Sequence, residues 1–479
     1  FNRGDHGTMK REYCGVVGIY SKKKESVADL LYLSLFSLQH RGQEAAGAVV
    51  FGEKGVVFHK DFGLVKEVFK RDILSSLTGY VGIGHNRYST VGDSRNYNNI
   101  QPLIVSHEGG FTAVAHNGTL TNYKELRFEL EKKGLVFHST TDSEILLYLF
   151  ITNPASSFSE KVKYIYERVK GAYSALFLVN DTIVFFRDPW GFRPLVYGEN
   201  RDFFVVASET AALKQAGISE WKEVNPGEVG IFKDGDLELI KVSEFSKREQ
   251  CVFELIYFSR PDSNTFGFNV YKFRKECGRA LAQQEEFDVD IVVPVPDSGV
   301  PASIGYSDYS GRPLELGLMR SHFSGRSFIE PRDREKKVRM KLIPVREVIE
   351  GKRIALIDDS LVRGTTSKEI VRLLRDNGAK EVHLRFASPP IVAPCFFGID
   401  IPTKEELLAS SLTLDELSQF LGADSVRYLP LKTLKSILGE SSQNFCFSCF
   451  SADYNPECVT DEVLQKFRGY HPKILDEVG

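Results

Sequence analysis

The sequence of 479 residues contains no apolar run approaching the roughly 20 residues that a membrane-spanning helix needs, which excludes a helical membrane protein. It has no excess charge of either sign, since 61 Lys and Arg stand against 64 Asp and Glu for a net charge of −3. A whole-chain basic field, the electrostatic footprint of nucleic-acid binding, is therefore absent, and any anion site must be local. Internal repeats and low-complexity linkers are lacking as well. The cysteines are odd in number, seven in all, which a secreted disulfide framework does not favour. They are Cys14, Cys251, Cys277, Cys395, Cys446, Cys449 and Cys458, and a metal or a reactive thiol accounts for such a set better than bridges do. Residues 1–13 are too polar for a signal peptide, so a cytoplasmic protein is expected.

What is present is globular. Hydrophobic residues at 42% and charged residues at 26% are ordinary proportions for a chain that folds unaided, and the length suggests two to four domains. Residues 14–20, 46–51, 80–85, 110–116, 173–179, 182–186 and 203–208 are short apolar, β-branched stretches parted by Gly, Asn or charged turns. They predict mostly antiparallel sheet. Helical spacing marks 27–38, 123–133, 143–151 and 160–169, with Asp142 and Ser159 placed as caps, so helices pack on stacked sheets. Beyond about residue 246 helix 270–286, strands 290–296 and 352–358, helix 366–377 and strand 380–388 alternate. That alternation implies a parallel sheet with a site at the C-terminal ends of its strands. Residues 403–438 carry amphipathic helical patterns ahead of a cysteine-rich stretch.

Cys14 opens the first strand in YCGVVGIY. Alone, a cysteine at a strand edge is a packing residue, but its company argues otherwise. Residues 39–47 (QHRGQEAAG), 84–90 (GHNRYST), 116–123 (HNGTLTNY) and 141–144 (TDSE) are polar clusters at the ends of apolar strands, where side chains can converge on one pocket. From Cys14 to about residue 240 these motifs resemble the glutaminase domain of class II glutamine amidotransferases, which are N-terminal-nucleophile hydrolases. The resemblance implies an α+β fold in four layers, αββα, and a cysteine thiolate that attacks the side-chain amide of glutamine with its own α-amine as base. It implies Cys14 as nucleophile, and Asn117 with the Gly118 N–H as oxyanion hole. Arg87 and Asp142 then meet the α-carboxylate and α-ammonium of glutamine, with Arg41 and Thr90 along the same pocket. A free α-amine requires that nothing precede Cys14. Residues 1–8 read as a cloning remnant ahead of Met9, and residues 9–13 as a short leader whose removal exposes Cys14.

The sharpest motif spans residues 354–367 (IALIDDSLVRGTTS). An apolar strand runs into Asp358 and Asp359, then into a small, hydroxyl-rich turn that opens a helix. Helix N-termini of this kind present N–H groups to phosphate, and paired carboxylates suit ribose hydroxyls and Mg²⁺. The pattern resembles the 5-phosphoribosyl-1-diphosphate (PRPP) signature of type I phosphoribosyltransferases, which implies an α/β fold on a parallel sheet. In residues 293–302 (VPVPDSGVPA), Asp297, Ser298 and Gly299 follow a strand in a turn whose amides suit pyrophosphate. By resemblance Ser298, Asp358 and Asp359 take Mg²⁺, and Gly364, Thr365, Thr366 and Ser367, with Arg363 beside them, take the 5-phosphate end of PRPP. The charged stretch 332–341 sits where these enzymes carry a mobile lid, with Lys336, Arg339 and Lys341 as phosphate contacts.

Cys446 and Cys449 form a CxxC, which zinc, redox chemistry and chance all produce. Cys251, in QCVFELIYFSRPDS, and Cys395, in APCFFGID, complete a set of four thiols that suits either tetrahedral zinc or an iron–sulfur cube.

A glutaminase followed by a PRPP domain resembles the amidophosphoribosyltransferase family, of which Tyr257, Arg260 and Pro261 at the junction are characteristic. In one subgroup of that family, positions matching Cys251, Cys395, Cys446 and Cys449 hold a [4Fe–4S] cluster, which leaves Cys277 and Cys458 structural. The resemblance implies glutamine and PRPP as substrates in the first committed step of purine biosynthesis, ammonia passing between two sites, inhibition by purine nucleotides, and a homotetramer. The expected divisions are remnant and leader 1–13, glutaminase 14–245, phosphoribosyltransferase 246–400, and a helical extension with cluster cysteines 401–479. Two alternatives carry less of the sequence. Another class II amidotransferase leaves Asp358, Asp359 and the phosphate turn unexplained, and a non-catalytic PRPP or purine sensor leaves the set Cys14, Arg87, Asn117 and Asp142 unexplained.

Overall fold

A computed structural model of the chain describes residues 12–89, 96–244, 247–284, 288–321, 342–399, 401 and 403–479. In the first half two antiparallel sheets lie face to face. One has seven strands, with Glu12–Ser21 between Phe203–Ala207 and Val81–Ser89; the other has six, with Gly110–Leu120 paired to Gly171–Val179. Side chains alternate along a strand, and here the alternation sorts the apolar residues. Val16, Tyr20, Ile83, Ala113 and Ala115 fill the space between the sheets. Val17 and Ile19 point the other way, onto Leu31 and Leu35 of the helix Ala28–Ser37. Val114 and Leu120 of the second sheet meet the helices Ser143–Thr152 and Phe158–Arg168. The four αββα layers follow from that sorting. One cap differs from expectation: Ser157, not Ser159, accepts the Glu160 N–H. Ser157 has the extended backbone an N-cap needs, whereas Ser159 is already inside the helix.

The second half is built on a parallel sheet in the order Ile291–Pro294, Arg353–Asp358, Glu381–Phe386, Ser425–Tyr428. The last strand corrects the expectation of helix throughout 403–438. Val426 and Tyr428 are buried while Ser425 and Arg427 are half-buried, the alternation of an edge strand with one covered face. Flanking it are the helices Leu414–Leu421, opened by a reciprocal Thr413–Glu416 capping box, and Leu431–Leu438.

Between the halves Glu254–Phe258 forms a single π-helical turn, a wide turn that often marks functional positions. The C-terminal residues return to this junction. Phe445–Cys446 pairs in parallel with Gln250–Cys251, and Thr121 Oγ1 donates to the Cys458 carbonyl at 2.7 Å. No helix of the described residues is long and apolar enough to cross a membrane.

Candidate active sites

Cys14 lies opposite Arg87 across the antiparallel strands Glu12–Ser21 and Val81–Ser89, so the two side chains are neighbours on one face. That face is the inner one. Cys14 shares the parity of Val16 and Tyr20, Arg87 that of Val81 and Ile83, and on the facing sheet Asn117 shares the parity of Ala113 and Ala115. Cys14, Arg87 and Asn117 thus converge from both sheets, each 1% exposed. Asn117 Nδ2 is buried without a hydrogen-bond partner among the described residues, a donor available to an oxyanion. At Gly118 φ is +139°, and a Cβ would stand 2.0 Å from the Ala172 carbonyl oxygen, so the position accepts only glycine.

Asp142 precedes the helix Ser143–Thr152 but makes no regular N-cap hydrogen bond to it. Its carboxylate instead accepts the Leu120 N–H at 2.8 Å, at the end of the strand that carries Asn117. Burial raises its pKa to about 6, the mark of an anion short of compensating charge.

Arg41 is placed differently from expectation. Its guanidinium turns into the junction, where Nε meets Glu209 Oε1 and Nη2 meets Glu254 Oε2, each at 2.5 Å. With two carboxylates on it and 3% exposure, it ties elements together rather than offering charge to a glutamine. Thr90, expected in the same pocket, lies outside the described residues.

At the parallel sheet, Asp358 ends the strand Arg353–Asp358, and Ser298 Oγ, from the turn after the neighbouring strand Ile291–Pro294, lies 3.5 Å from Asp358 Oδ1. Burial, then the charge of Asp359, push the Asp358 carboxyl well above the usual range. Two adjoining buried carboxylates and a hydroxyl form a hard oxygen donor set suited to a divalent cation. Gly299 lets the turn approach, since a Cβ there would fall 2.4 Å from the Ile357 carbonyl oxygen. Gly364, with φ +69°, leads into the helix Thr365–Asp376, whose first turn exposes Thr365 and Thr366 and buries Ser367. The first turn of a helix leaves its N–H groups without intrahelical partners, donors that suit a phosphate. Two ion pairs occupy the rim: Arg363 with Glu406 at 2.8 Å, and Asp297 with Arg320. Lys336, Arg339 and Lys341 lie outside the described residues.

Cys251, Cys395, Cys446 and Cys449 line one small cavity walled by Phe192, Phe253, Phe397 and Ile399. Parallel pairing sets Cys251 beside Cys446, and the Val392 and Ala393 N–H groups donate to the Cys449 carbonyl at 2.9 and 3.1 Å. The Phe397 N–H points at Cys395 Sγ at 3.3 Å. Burial raises the thiol pKa of Cys251, Cys446 and Cys449. No disulfide joins any of the seven cysteines. Among the described residues no three His, Cys, Asp or Glu side chains form a group that holds a single metal ion.

The αββα fold agrees with a family comparison: residues 85–215 match the model of the glutamine amidotransferase domain. Over the whole chain, amidophosphoribosyltransferase 1, chloroplastic, of Arabidopsis thaliana is 48% identical across 459 residues, 95% of this chain and 80% of the relative. The amidophosphoribosyltransferase of Methanocaldococcus jannaschii is 43% identical, covering 94% of this chain and 99% of its own. A solved structure of glutamine PRPP amidotransferase from Bacillus subtilis, complexed with ADP and GMP, matches with a TM-score of 0.87 and 42% identity, covering 94% of this chain and 98% of that one. Another, described as the allosteric regulatory enzyme of purine biosynthesis, matches with a TM-score of 0.88 and 43% identity, covering 94% of this chain and 97% of that one. The class is that of the glutamine amidotransferases. Within it, the chain belongs to the amidophosphoribosyltransferase family.

Proposed function

We propose that this enzyme converts glutamine, PRPP and water into 5-phosphoribosylamine, pyrophosphate and glutamate. The observation that carries the reading is the Cys14–Arg87 register pair, facing Asn117, in a chain whose parallel sheet ends in Asp358 and Asp359 beside Ser298. With residues 1–13 removed, the Cys14 α-amine accepts the thiol proton and the thiolate attacks the glutamine amide. Asn117 and the Gly118 N–H hold the oxyanion, while Arg87 and Asp142 hold the two ends of the amino acid. Ammonia leaves, and water releases glutamate from the thioester. Ammonia must travel as the neutral molecule between the sites, because ammonium has no lone pair.

At the second site ammonia attacks C1 of the ribose as pyrophosphate departs. Residues 297–299 cradle the pyrophosphate, and 363–367 hold the 5-phosphate. Ser298, Asp358 and Asp359 hold Mg²⁺, which when bound offsets the charge of the diphosphate. Cys251, Cys395, Cys446 and Cys449 hold a [4Fe–4S] cluster of structural role. Their apolar cavity and the buried Arg193 guanidinium that meets Cys251 fit four thiolates. Purine nucleotides inhibit at the PRPP pocket, a reading supported by the ADP and GMP in the Bacillus subtilis relative, and the enzyme assembles as a homotetramer. Its parts are a glutaminase over 14–245, a phosphoribosyltransferase over 246–400 and an extension over 401–479 that returns a strand and two cluster ligands to them.

The test is formation of phosphoribosylamine from PRPP with glutamine or with ammonia, for the wild type and Cys14→Ala. The variant loses glutamine use and keeps ammonia use; joint loss overturns the two-site reading. Iron and sulfide analysis tests the cluster, and stoichiometric zinc without iron overturns it.

A further inference from the structure

Arg193 is 1% exposed and follows Phe192, which lines the cysteine cavity. Its neighbour Phe192 accepts the Cys251 N–H at 3.1 Å and stacks on Phe397 with ring centroids 4.2 Å apart. On the other side Arg193 Nη2 lies 3.2 Å from Glu254 Oε1. Glu254 is held by Arg41, and Arg41 by Glu209, whose second oxygen accepts the Arg260 N–H at 2.9 Å and the Ser263 hydroxyl at 2.7 Å. Arg193, Glu254, Arg41 and Glu209 thus form an alternating ladder in which every side chain is 3% exposed or less.

Within the ladder two guanidiniums already balance two carboxylates. Beyond them the Arg193 guanidinium meets the thiol of Cys251, a weak acceptor, and its buried Nε has no well-formed partner among the described residues. A guanidinium has five donors and cannot be deprotonated in proteins, and leaving such a donor unmet in the interior is costly. The remaining side of Arg193 faces Cys251 and Cys395, so the missing partner belongs in the cysteine cavity.

We propose that Arg193 is the compensating cation of the cysteine cavity: a positioning residue that holds the thiolate-bound cluster and fastens it, through Glu254, to Arg41. The inference rests on the reading of Cys251, Cys395, Cys446 and Cys449 as cluster ligands. Four thiolates in an apolar cavity require nearby positive charge, and a guanidinium fixed by Glu254 supplies it without reorganisation. Partners behind the ligands of a metal site are typically worth about 10–100-fold in metal affinity.

Full-length wild type, Arg193→Met and Arg193→Lys are reconstituted with iron and sulfide without oxygen, then challenged with an iron chelator while cluster absorbance is followed. Arg193→Met is expected to bleach about tenfold faster or more, and Arg193→Lys to recover most of the loss. The reduction potential of Arg193→Met moves to more negative values, because removal of a buried cation disfavours the added electron. Equal bleaching and equal potential in the three chains overturn the proposal. Should Arg193→Met not fold, Glu254→Gln carries the test, since it leaves the Arg193 charge to the thiolates alone and shifts the potential upward; an unmoved potential overturns the proposal. A wild type that takes up zinc and no iron overturns the cluster reading itself, whatever the variants do.

Discussion

Arg41 and Glu254 stand 213 residues apart in the sequence and form a buried ion pair, Nη2 to Oε2, at 2.5 Å. Arg41 ends the short 3-10 turn Gln39–Arg41 beside the Cys14 strand, and Glu254 opens the π turn that leads toward the parallel sheet. The pair joins the two halves where their chemistry must be coordinated.

Breaking it should be expensive. Glu254→Ala leaves Arg41 and Arg193 sharing too few anions, and loss of one partner of a buried pair costs about 3–5 kcal/mol, read as a lower urea midpoint. Burial raises the Glu254 carboxyl, but Arg41 and Arg193 more than reverse it, and His40 and Arg41 do the same for Glu209, so both folded values are depressed. A depressed folded pKa gives stability that is complete above the unfolded value, about 4.3 for Glu, and is lost as pH falls through the folded value. The urea midpoint of the wild type therefore drops in acid below about pH 4. In Glu254→Gln the midpoint is lower at neutral pH and its acid limb shallower; an unchanged limb would show that the pair does not set it.

Asp142 leads to the opposite sign. Its pKa, raised to about 6 by burial, means that the folded chain binds this proton more tightly than the unfolded chain. Its contribution favours folding at low pH and is lost as pH rises through about 6. Recognition of an α-ammonium needs the ionised form, so glutamine affinity moves the other way and weakens as pH falls through that range. Calorimetric titration of Cys14→Ala with glutamine measures this without turnover. Adding Asp142→Asn should weaken binding at pH 7 by about 10–100-fold, the worth of a charge-assisted contact of 1.5–3 kcal/mol, and abolish the pH dependence.

Much of this was legible because the informative residues are contiguous. Residues 354–367 carry strand, acids, turn glycine and helix start in one run, and the structure keeps them in that order, with Gly364 at positive φ. The strand Ser425–Tyr428 was not legible. Four residues between two amphipathic helices show no strand pattern of their own, and pairing with Glu381–Phe386, some forty positions earlier, makes them one. The ladder was hidden for a related reason. Arg193 sits in an apolar stretch, GFRPLVYG, and Glu254 in CVFELIYF. A charge inside an apolar run is the one signal the sequence offers, and it does not say which partner lies across the junction. Arg41 was expected along the glutamine pocket from the resemblance of its motif, residues 39–47, and a motif does not say where a long side chain turns.

The proposed oxyanion hole of Asn117 and Gly118 predicts that the two activities separate. Asn117→Ala removes one oxyanion donor, which costs about 10²–10³ in kcat with glutamine and leaves ammonia-dependent turnover unchanged. Gly118→Ala meets the Ala172 carbonyl at 2.0 Å in a conformation with φ of +139°, so it should lower the melting temperature as well as abolish glutamine use. Parallel rate measurements with the two nitrogen donors check both. A proportional loss with ammonia would place these residues outside the glutaminase site.

Asp358 poses a choice between stability and ligand binding. Burial and the adjoining Asp359 raise its pKa well above the ordinary value, so at neutral pH its ionised form works against folding. The sign follows from linkage: a raised folded pKa favours the folded state at low pH, and that advantage disappears as pH rises through the folded value. Asp358→Asn removes the charge, and its remaining carbonyl oxygen can still accept the Asp359 N–H that Asp358 Oδ1 now takes at 2.9 Å. The variant should therefore melt above the wild type when neither PRPP nor Mg²⁺ is present. Ligand that binds only the folded state raises the melting temperature by mass action, and this rise should be large in the wild type and absent in Asp358→Asn. Thermal melts of both chains with and without PRPP and Mg²⁺ decide the matter. If the variant is less stable than the wild type without ligand, the carboxylate pair is not under charge stress; if it keeps the PRPP-dependent rise, Asp358 does not hold the metal and diphosphate.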